Sequence, residues 1–413
     1  MSGVLAMILA GGEGTRLLPL TNSRSKPSIP FGGSYRIIDF VLNNFVNSGF
    51  LKIFVLTQYK SQSLYMHLKN GWSINGIPGA FIDAIPAQMR ISREWYQGTA
   101  DAIYQNLQFI EEQYPDYVAV FGSDHIYKMD IRQMLDYHKS SQASLTVSAL
   151  RLPSSLCAKR FGVIEVDARN QMIGFQEKPT SPKQIPGDPG YSLVSMGNYI
   201  FTTEILRNVL IEDKNNPYSS HDFGKDIIPT LYKKNKVMVY NMKDNKIVGE
   251  KNNVYWRDVG TIDAYWSAHM DLLGENPSFS MSNPKWPLHT FYPPLPPASF
   301  TDTNDYKSIV SHSMISAGCE IRGATIKRSV IGFRCLAENG AIVDGCVLIG
   351  DDKIGQGAKI RRVILDRHVE IAPGFSIGYD PIQDQLLINK TKNSYISPQG
   401  IIVIPQGVRL GFN

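Results

Sequence analysis

A cluster of glycines meets two basic residues near the start of this 413-residue chain. Gly11-Gly12-Glu13-Gly14-Thr15-Arg16 follows the apolar run Val4 to Ala10, and Lys26-Pro27 lies ten residues beyond. Glycines let a backbone approach a phosphate closely and turn several N–H groups toward it. Arg16 and Lys26 add fixed positive charge. No Gly-Lys-Ser/Thr follows, so this is not a Walker A loop, and the dinucleotide G-x-G-x-x-G does not fit either. The spacing points to a phosphate cradle built on Gly11, Gly12, Gly14, Thr15, Arg16 and Lys26. A purely structural turn is the plain alternative.

Two aspartates follow apolar runs. Asp124 stands in Gly122-Ser123-Asp124-His125, after the run 117–121. A carboxylate at the C-terminal end of a parallel strand faces the crevice where ligands bind. Magnesium prefers carboxylate and phosphate oxygens, so Asp124 reads as a metal ligand, with a helix cap as the alternative. Asp258, in Trp256-Arg257-Asp258-Val259-Gly260-Thr261, is either a second ligand or the N-cap of a helix starting near Ile262. Glu177-Lys178-Pro179 follows a strand expected over 171–176. Lys178 offers a point charge for phosphate and Glu177 offers acceptors for sugar hydroxyls. Tyr96-Gln97-Gly98-Thr99 opens a helix carrying Ile103 and Leu107. Gly98 or Thr99 would cap it, and its N-terminus could face an anion. His125, His138, His221 and His269 lack zinc spacing and read as surface or satisfied polar residues. No Gly-x-Ser-x-Gly or Cys–His arrangement marks a nucleophile, so the chemistry expected is direct displacement.

These residues need a scaffold. Over the first 275 or so positions, short β-type runs alternate with helical spacings, such as Ile37, Val41, Phe45 and Ile103, Leu107, Ile110. That alternation predicts an α/β domain with a largely parallel sheet. Pro284, Pro287, Pro293, Pro294, Pro296 and Pro297 then crowd together and predict a stiff linker or a strap across an interface. Beyond it Ile309, Ile315, Ile321, Ile326, Ile331, Leu336, Ile342, Leu348, Ile354, Ile360, Leu365, Ile371 and Ile377 recur at five- or six-residue steps. This is the hexapeptide period of a parallel β-helix, about four coils long, with an irregular β-sandwich as the alternative. The divisions are 1–275, the Pro-rich 276–306, and 307–413.

The composition sets limits. Hydrophobic residues at 43% and charged residues at 19% exclude a disordered chain. No apolar run approaches the roughly 20 residues that span a bilayer, and the Val4 to Ala10 run lacks the basic flank of a signal peptide. Four cysteines without a C-x-x-C pair fit a reducing cytoplasm. A net charge of +5 is too mild to argue nucleic acid, yet it suits anionic substrates.

With these motifs in hand, the chain resembles the sugar nucleotidyltransferases and, within them, the bacterial ADP-glucose pyrophosphorylases. The Gly-rich segment marks only the superfamily. Trp95-Tyr96-Gln97-Gly98-Thr99-Ala100-Asp101, His221-Asp222-Phe223-Gly224-Lys225-Asp226 and Tyr255-Trp256-Arg257-Asp258-Val259-Gly260 are more specific. The resemblance implies an α/β Rossmann-like nucleotidyltransferase domain followed by a left-handed parallel β-helix that serves oligomerisation and regulation in a homotetramer. It implies that ATP and glucose-1-phosphate give ADP-glucose and pyrophosphate for glycogen synthesis. Tyr96, Gly162, Glu177, Lys178 and Ser195 would bind glucose-1-phosphate. Gln88 would lie near the adenine, with Gly98 and Thr99 also on the nucleotide side. Asp124 and Asp258 would hold Mg2+, and Asp124, Arg16 and Lys26 would carry catalysis. Arg24, Arg36 and Lys52 match basic positions of an allosteric metabolite site, which Arg361, Arg362 and Arg367 could face. Three departures stand out: Ser23 replaces an activator-binding lysine of enterobacterial relatives, Glu13 adds an acid to the phosphate loop, and Ser123 replaces a glycine. A UTP- or dTTP-dependent enzyme, a fused acetyltransferase and a non-catalytic regulatory subunit are the competing readings.

Overall fold

The computed structural model describes residues 3–74, 76–88, 94–250 and 254–412. Its first part is built on a nine-stranded sheet. The central strand Val4–Ala10 is parallel to Lys52–Thr57 on one side and to Tyr117–Gly122 on the other. Its side chains alternate between two cores. Ala6 and Ile8 pack against Val41 and Phe45 of the helix Ile37–Asn47, while Leu5 and Met7 pack against Ala100 and Ile103 of the helix Thr99–Tyr104. A strand covered on both faces can be apolar throughout, which is why this run carries no polar alternation.

The sheet is mixed rather than largely parallel. The long strand Tyr191–Thr202 runs antiparallel to Tyr117–Gly122, Leu145–Pro153 and Val163–Val166. Its first half alternates buried and half-buried positions, the mark of an antiparallel strand with one wetter face. The expected helix through Ile103, Leu107 and Ile110 is two helices, Thr99–Tyr104 and Leu107–Gln113. At the break, the Asn106 amide donates to the Ala102 carbonyl and to the Tyr96 hydroxyl. Such back-bonding to the preceding turn bends or ends helices.

The Pro-rich stretch is a strap. Asn43 and His289 exchange two hydrogen bonds of 2.7 and 2.8 Å, and Thr290 donates to the buried Asp39. The strap thereby supplies backbone partners to the helix Ile37–Asn47 instead of swinging free.

The last part is a parallel β-helix of three sheets with six, five and six strands. Aliphatics stack in three ladders: Val310, Ile326, Val343, Ile360, Ile377; Ile315, Ile331, Leu348, Leu365, Ile404; and Ile321, Ala337, Ile354, Ile371, Leu410. The period therefore holds, with three positions shifted by one. Val310, Ala337 and Val343 take the ladder places expected for Ile309, Leu336 and Ile342. Where two apolar residues adjoin, the larger was favoured, but strand alternation puts only one of them inside. The stack also exceeds four coils. It starts at Ser299–Thr301, within the stretch read as linker, and resumes at Ile402–Ile404 after an inserted helix, Pro381–Lys390.

The two parts share a core. Leu20, Phe31, Ile262 and Tyr265 of the first pack with Val347, Ile349, Ile364 and Val403 on an outer face of the β-helix. Arg24 and Asp366 form a buried ion pair across this seam at 2.9 Å. Among the described residues no helix is long and apolar enough to cross a membrane.

Candidate active site

The C-terminal ends of the parallel strands open into a cleft of about 620 Å³. The Gly-rich loop forms one wall. It ends in the short turn Thr15–Leu17, entered through Gly14 at φ 72°. A Cβ at Gly14 would also meet Thr21 at 3.0 Å, so glycine is needed there twice over. Gly11, Gly12, Glu13, Thr15 and Arg16 all line the cleft. Glu13 is exposed and Ser123 donates its hydroxyl to the Leu9 carbonyl at 2.6 Å, which accounts for a serine there.

Asp124 and Asp258 are brought together by a two-stranded ribbon, His125–Tyr127 with Trp256–Asp258, in which Asp258 lies opposite His125. Neither caps a helix. Thr261 caps the helix Ile262–Met270 by accepting from Ala264, and Asp130 caps the helix Ile131–Ser140. Lys26 lies between the two carboxylates, with Nζ 2.8 Å from Asp124 and 3.4 Å from Asp258. Burial alone would raise the Asp124 pKa, but Lys26, His125 and Arg16 outweigh it and hold the group ionised far below neutrality.

Asp124, His125 and Asp258 each present a ligand atom within 4.8 Å of the others. Two convergent carboxylates bridged by an ammonium form a site with the charge and oxygen donors that a small divalent cation requires, so the residues fit Mg2+. Asp124 and Asp258 would hold it. His125 was expected to be an ordinary polar residue. It instead sits in the cleft wall, its ring 4.9 Å from that of Trp256.

The cleft has a second polar end. Gly162, Glu177, Lys178, Ser195 and Tyr96 all line it. The Ser195 N–H donates to the Gly162 carbonyl at 2.8 Å, and Lys178 pairs with Glu177 at 2.9 Å. Gly162 and Gly224 keep space for the Glu177 carboxylate: a Cβ would stand 3.1 Å and 2.6 Å from Oε2. Asn106 holds the Tyr96 hydroxyl at 2.9 Å.

Gly98 and Thr99 line the cleft too, but two N–H groups in the first turn of the helix they open are already engaged. Ala100 and Asp101 donate to the His221 carbonyl. The segment packs so closely that a Cβ at Gly98 would lie 2.2 Å from that oxygen. Thr99 bonds Asp222, a cleft residue that lies in one of the diagnostic segments but was given no site role there. Gln88 is exposed and does not line the cavity. Arg160, which carries no recognisable motif, does line it.

The expected effector residues divide. Arg36 lines a smaller cavity of about 160 Å³ between the two parts, with Arg334, Arg367, His67 and Phe291. Burial, then the charges of Arg367 and Arg24, push the Arg36 pKa down to about 10. Arg24 sits in the seam, held by Asp366. Lys52 is elsewhere: it begins a sheet strand, at the end opposite the cleft, and donates to Gln113. Arg361 is exposed at the end of the strand Lys359–Arg361 and does not line this cavity. Its neighbour Arg362 stacks on Trp266 at 4.9 Å. Basic character alone could not separate these positions; only their place along strands does.

Comparison with known proteins agrees with this layout. Residues 5–275 match the nucleotidyl transferase family model, and residues 296–404 match a GlmU-like C-terminal hexapeptide model, a left-handed β-helix. The chain is 58% identical over 412 residues to glucose-1-phosphate adenylyltransferase 1 of Vibrio parahaemolyticus, with both chains fully covered. It is 59% identical, again over the full length of both, to the glucose-1-phosphate adenylyltransferase of Photobacterium profundum. The enzyme of that name from Anaeromyxobacter is 44% identical over 99% of this chain. The chain therefore belongs to the nucleotidyltransferase family, within its glucose-1-phosphate adenylyltransferase branch.

Proposed function

We propose that this chain transfers the adenylyl group of ATP to glucose-1-phosphate, releasing pyrophosphate and forming ADP-glucose for glycogen synthesis. The observation that carries the reading is one cleft with two chemically different ends. Lys26 bridges Asp124 and Asp258 beside the Gly-rich loop, and Glu177 and Lys178 form the other end.

A phosphate oxygen of glucose-1-phosphate attacks the α-phosphorus of ATP in line. The new P–O bond forms as the bond to the bridging oxygen of the β-phosphate breaks, and that electron pair leaves with pyrophosphate. The attacking oxygen is already anionic near neutral pH, so no general base is required. The barrier is the approach of two polyanions and the charge gathering on the leaving group. Arg16, Lys26 and the backbone N–H groups of residues 11–15 face that charge in fixed positions. Mg2+ held by Asp124 and Asp258 would supply further neutralisation of phosphate charge. Glu177 accepts from sugar hydroxyls while Lys178 holds the sugar phosphate.

Residues 1–275 form the catalytic part in this reading, and the β-helix serves regulation and assembly. The cavity containing Arg36 and Arg367 suits an anionic metabolite as effector, because these guanidinium groups repel one another, while Arg334 beside them is already paired with Asp351. Phe300, Ile309 and Val310 lie exposed at the open first coil, which supports self-association, and a homotetramer is the assembly proposed.

The test is pyrophosphate release from the purified protein with magnesium and glucose-1-phosphate. ATP, UTP and dTTP are compared, each with and without fructose-6-phosphate, fructose bisphosphate and pyruvate. Release with ATP alone among the nucleotides is expected. No release under any condition would leave a regulatory subunit as the better reading.

A further inference from the structure

Among the described residues, four lysine and arginine side chains line the cleft, with different engagements. Lys26 is committed to two carboxylates and Lys178 to Glu177. Arg16 keeps its place because residue 260 is glycine; a Cβ there would stand 3.3 Å from Arg16 Nη2. Arg160 lines the cleft two residues before Gly162. Its guanidinium lies 5.0 Å from the Phe161 ring centroid, which limits its swing. Its one acidic neighbour is Asp258, at 3.8 Å, too far for a hydrogen bond. Among the described residues its side chain has no hydrogen-bond acceptor, and it is 43% exposed.

An arginine with its donors unspent is matched to phosphate, whose oxygens accept the planar fork two at a time. Its position narrows which phosphate. It stands between the reacting end, through Asp258, and the sugar end, through Gly162. Lys26 reaches the other oxygen of the same Asp258 carboxylate, at 3.4 Å. We propose that Arg160 grips the phosphate of glucose-1-phosphate opposite Lys178 and holds its attacking oxygen in line with the α-phosphorus. This rests on the adenylyl-transfer reading above. After transfer the same phosphate is the β-phosphate of ADP-glucose, so Arg160 holds the product as well.

Arg160→Ala and Arg160→Lys test this, with wild-type turnover as the check on the parent reading. For Arg160→Ala the KM for glucose-1-phosphate rises about tenfold, about 1.4 kcal/mol. Turnover falls as well, because alignment is lost. The KM for ATP moves less than twofold. Arg160→Lys restores the charge without the fork and recovers only part of both effects. Calorimetry shows ADP-glucose binding Arg160→Ala about tenfold more weakly, with ATP binding unchanged. If Arg160 merely steadies Asp258, the change appears in the magnesium concentration for half-maximal rate and leaves glucose-1-phosphate KM alone. That result overturns the proposal, as does an equal rise in KM for ATP. A wild-type protein without turnover sinks the parent reading; an active one with unaltered variants sinks only the role of Arg160.

Discussion

Replacing Asp124 by Asn removes one charge and almost no volume, so it isolates electrostatics. The Asp124 carboxylate lies 2.8 Å from Lys26 and 3.3 Å from His125. A unit charge interacting with another about 4 Å away contributes about 4 kcal/mol at an effective dielectric of about 20. At about 1.4 kcal/mol per decade of rate, that is near a thousandfold. The side chain is 38% exposed to the cleft, so water screens part of it. A fall in turnover of about two orders of magnitude is the expected result. The KM for glucose-1-phosphate should shift by about threefold at most, since Glu177 and Lys178, the contacts proposed for it, are not bonded to Asp124. The assay is steady-state pyrophosphate release with each substrate varied in turn, beside a thermal melt displaced by about 2 °C or less. Raising the pH should not rescue the variant, because the parent group is already ionised far below neutrality. A turnover within tenfold of the parent, or a loss confined to KM, would refute the role assigned to Asp124.

Two stability predictions follow. Asp366→Asn leaves the Arg24 guanidinium buried without its counter-charge, with the two side chains 7% and 4% exposed in the parent, and should cost about 3–5 kcal/mol in guanidinium denaturation. Replacing both partners by Met and Leu should recover most of that loss, and a single-variant loss below about 1 kcal/mol would contradict the burial argument. His138 and His269 have pKa values lowered to about 4, chiefly by burial. Both therefore stay neutral in the folded chain while the unfolded chain takes up protons below its ordinary value near 6.5. Stability should fall as pH drops from about 6.5 toward 4, by about 1.4 kcal/mol per pH unit for each histidine. His269→Gln should flatten that slope, since Nε2 accepts from the Gly32 N–H at 3.1 Å and cannot do so once protonated.

Much of the site was legible because the chemistry leaves local marks. A glycine run between an apolar strand and two cations marks one wall of the cleft, and Asp124, which also lines it, follows a second such strand. Asp258 was ambiguous for a physical reason. An aspartate three residues before a helix can serve as cap or ligand, and only the ribbon pairing with His125 and the Thr261 cap separate the two. Arg160 left no mark, because one exposed arginine looks like another wherever it points, and Asp222 was visible within a diagnostic segment but not as a cleft residue. Lys52 and Arg361 show the same blindness in reverse: their charge was visible, but not the end of the strand they occupy. In the β-helix the period was legible, while the choice between neighbouring Ile309 and Val310 depends on which side of a three-residue strand faces inward.

The coupling between the two parts follows from one short segment. Arg24 is anchored to Asp366 on the β-helix, and Lys26, separated from it by Ser25 alone, is anchored to Asp124 and Asp258 in the cleft. The segment between cannot flex on its own. Ser25 and Ser28 are at most 1% exposed, and the Ser28 hydroxyl donates to the Ser25 carbonyl at 2.8 Å. A packed, fully bonded turn of this kind moves as a unit. No β-helix residue lines the cleft among the described residues, so this link and the shared core, in which Val259 next to Asp258 takes part, are what join the β-helix to it. The cavity with Arg36 and Arg367 adjoins the same seam, because Arg367 follows Asp366 directly. An anion bound at Arg367, as proposed above, would alter the field around the Arg24–Asp366 pair, and a shift of that pair would reach, two residues on, the Lys26 ammonium between Asp124 and Asp258.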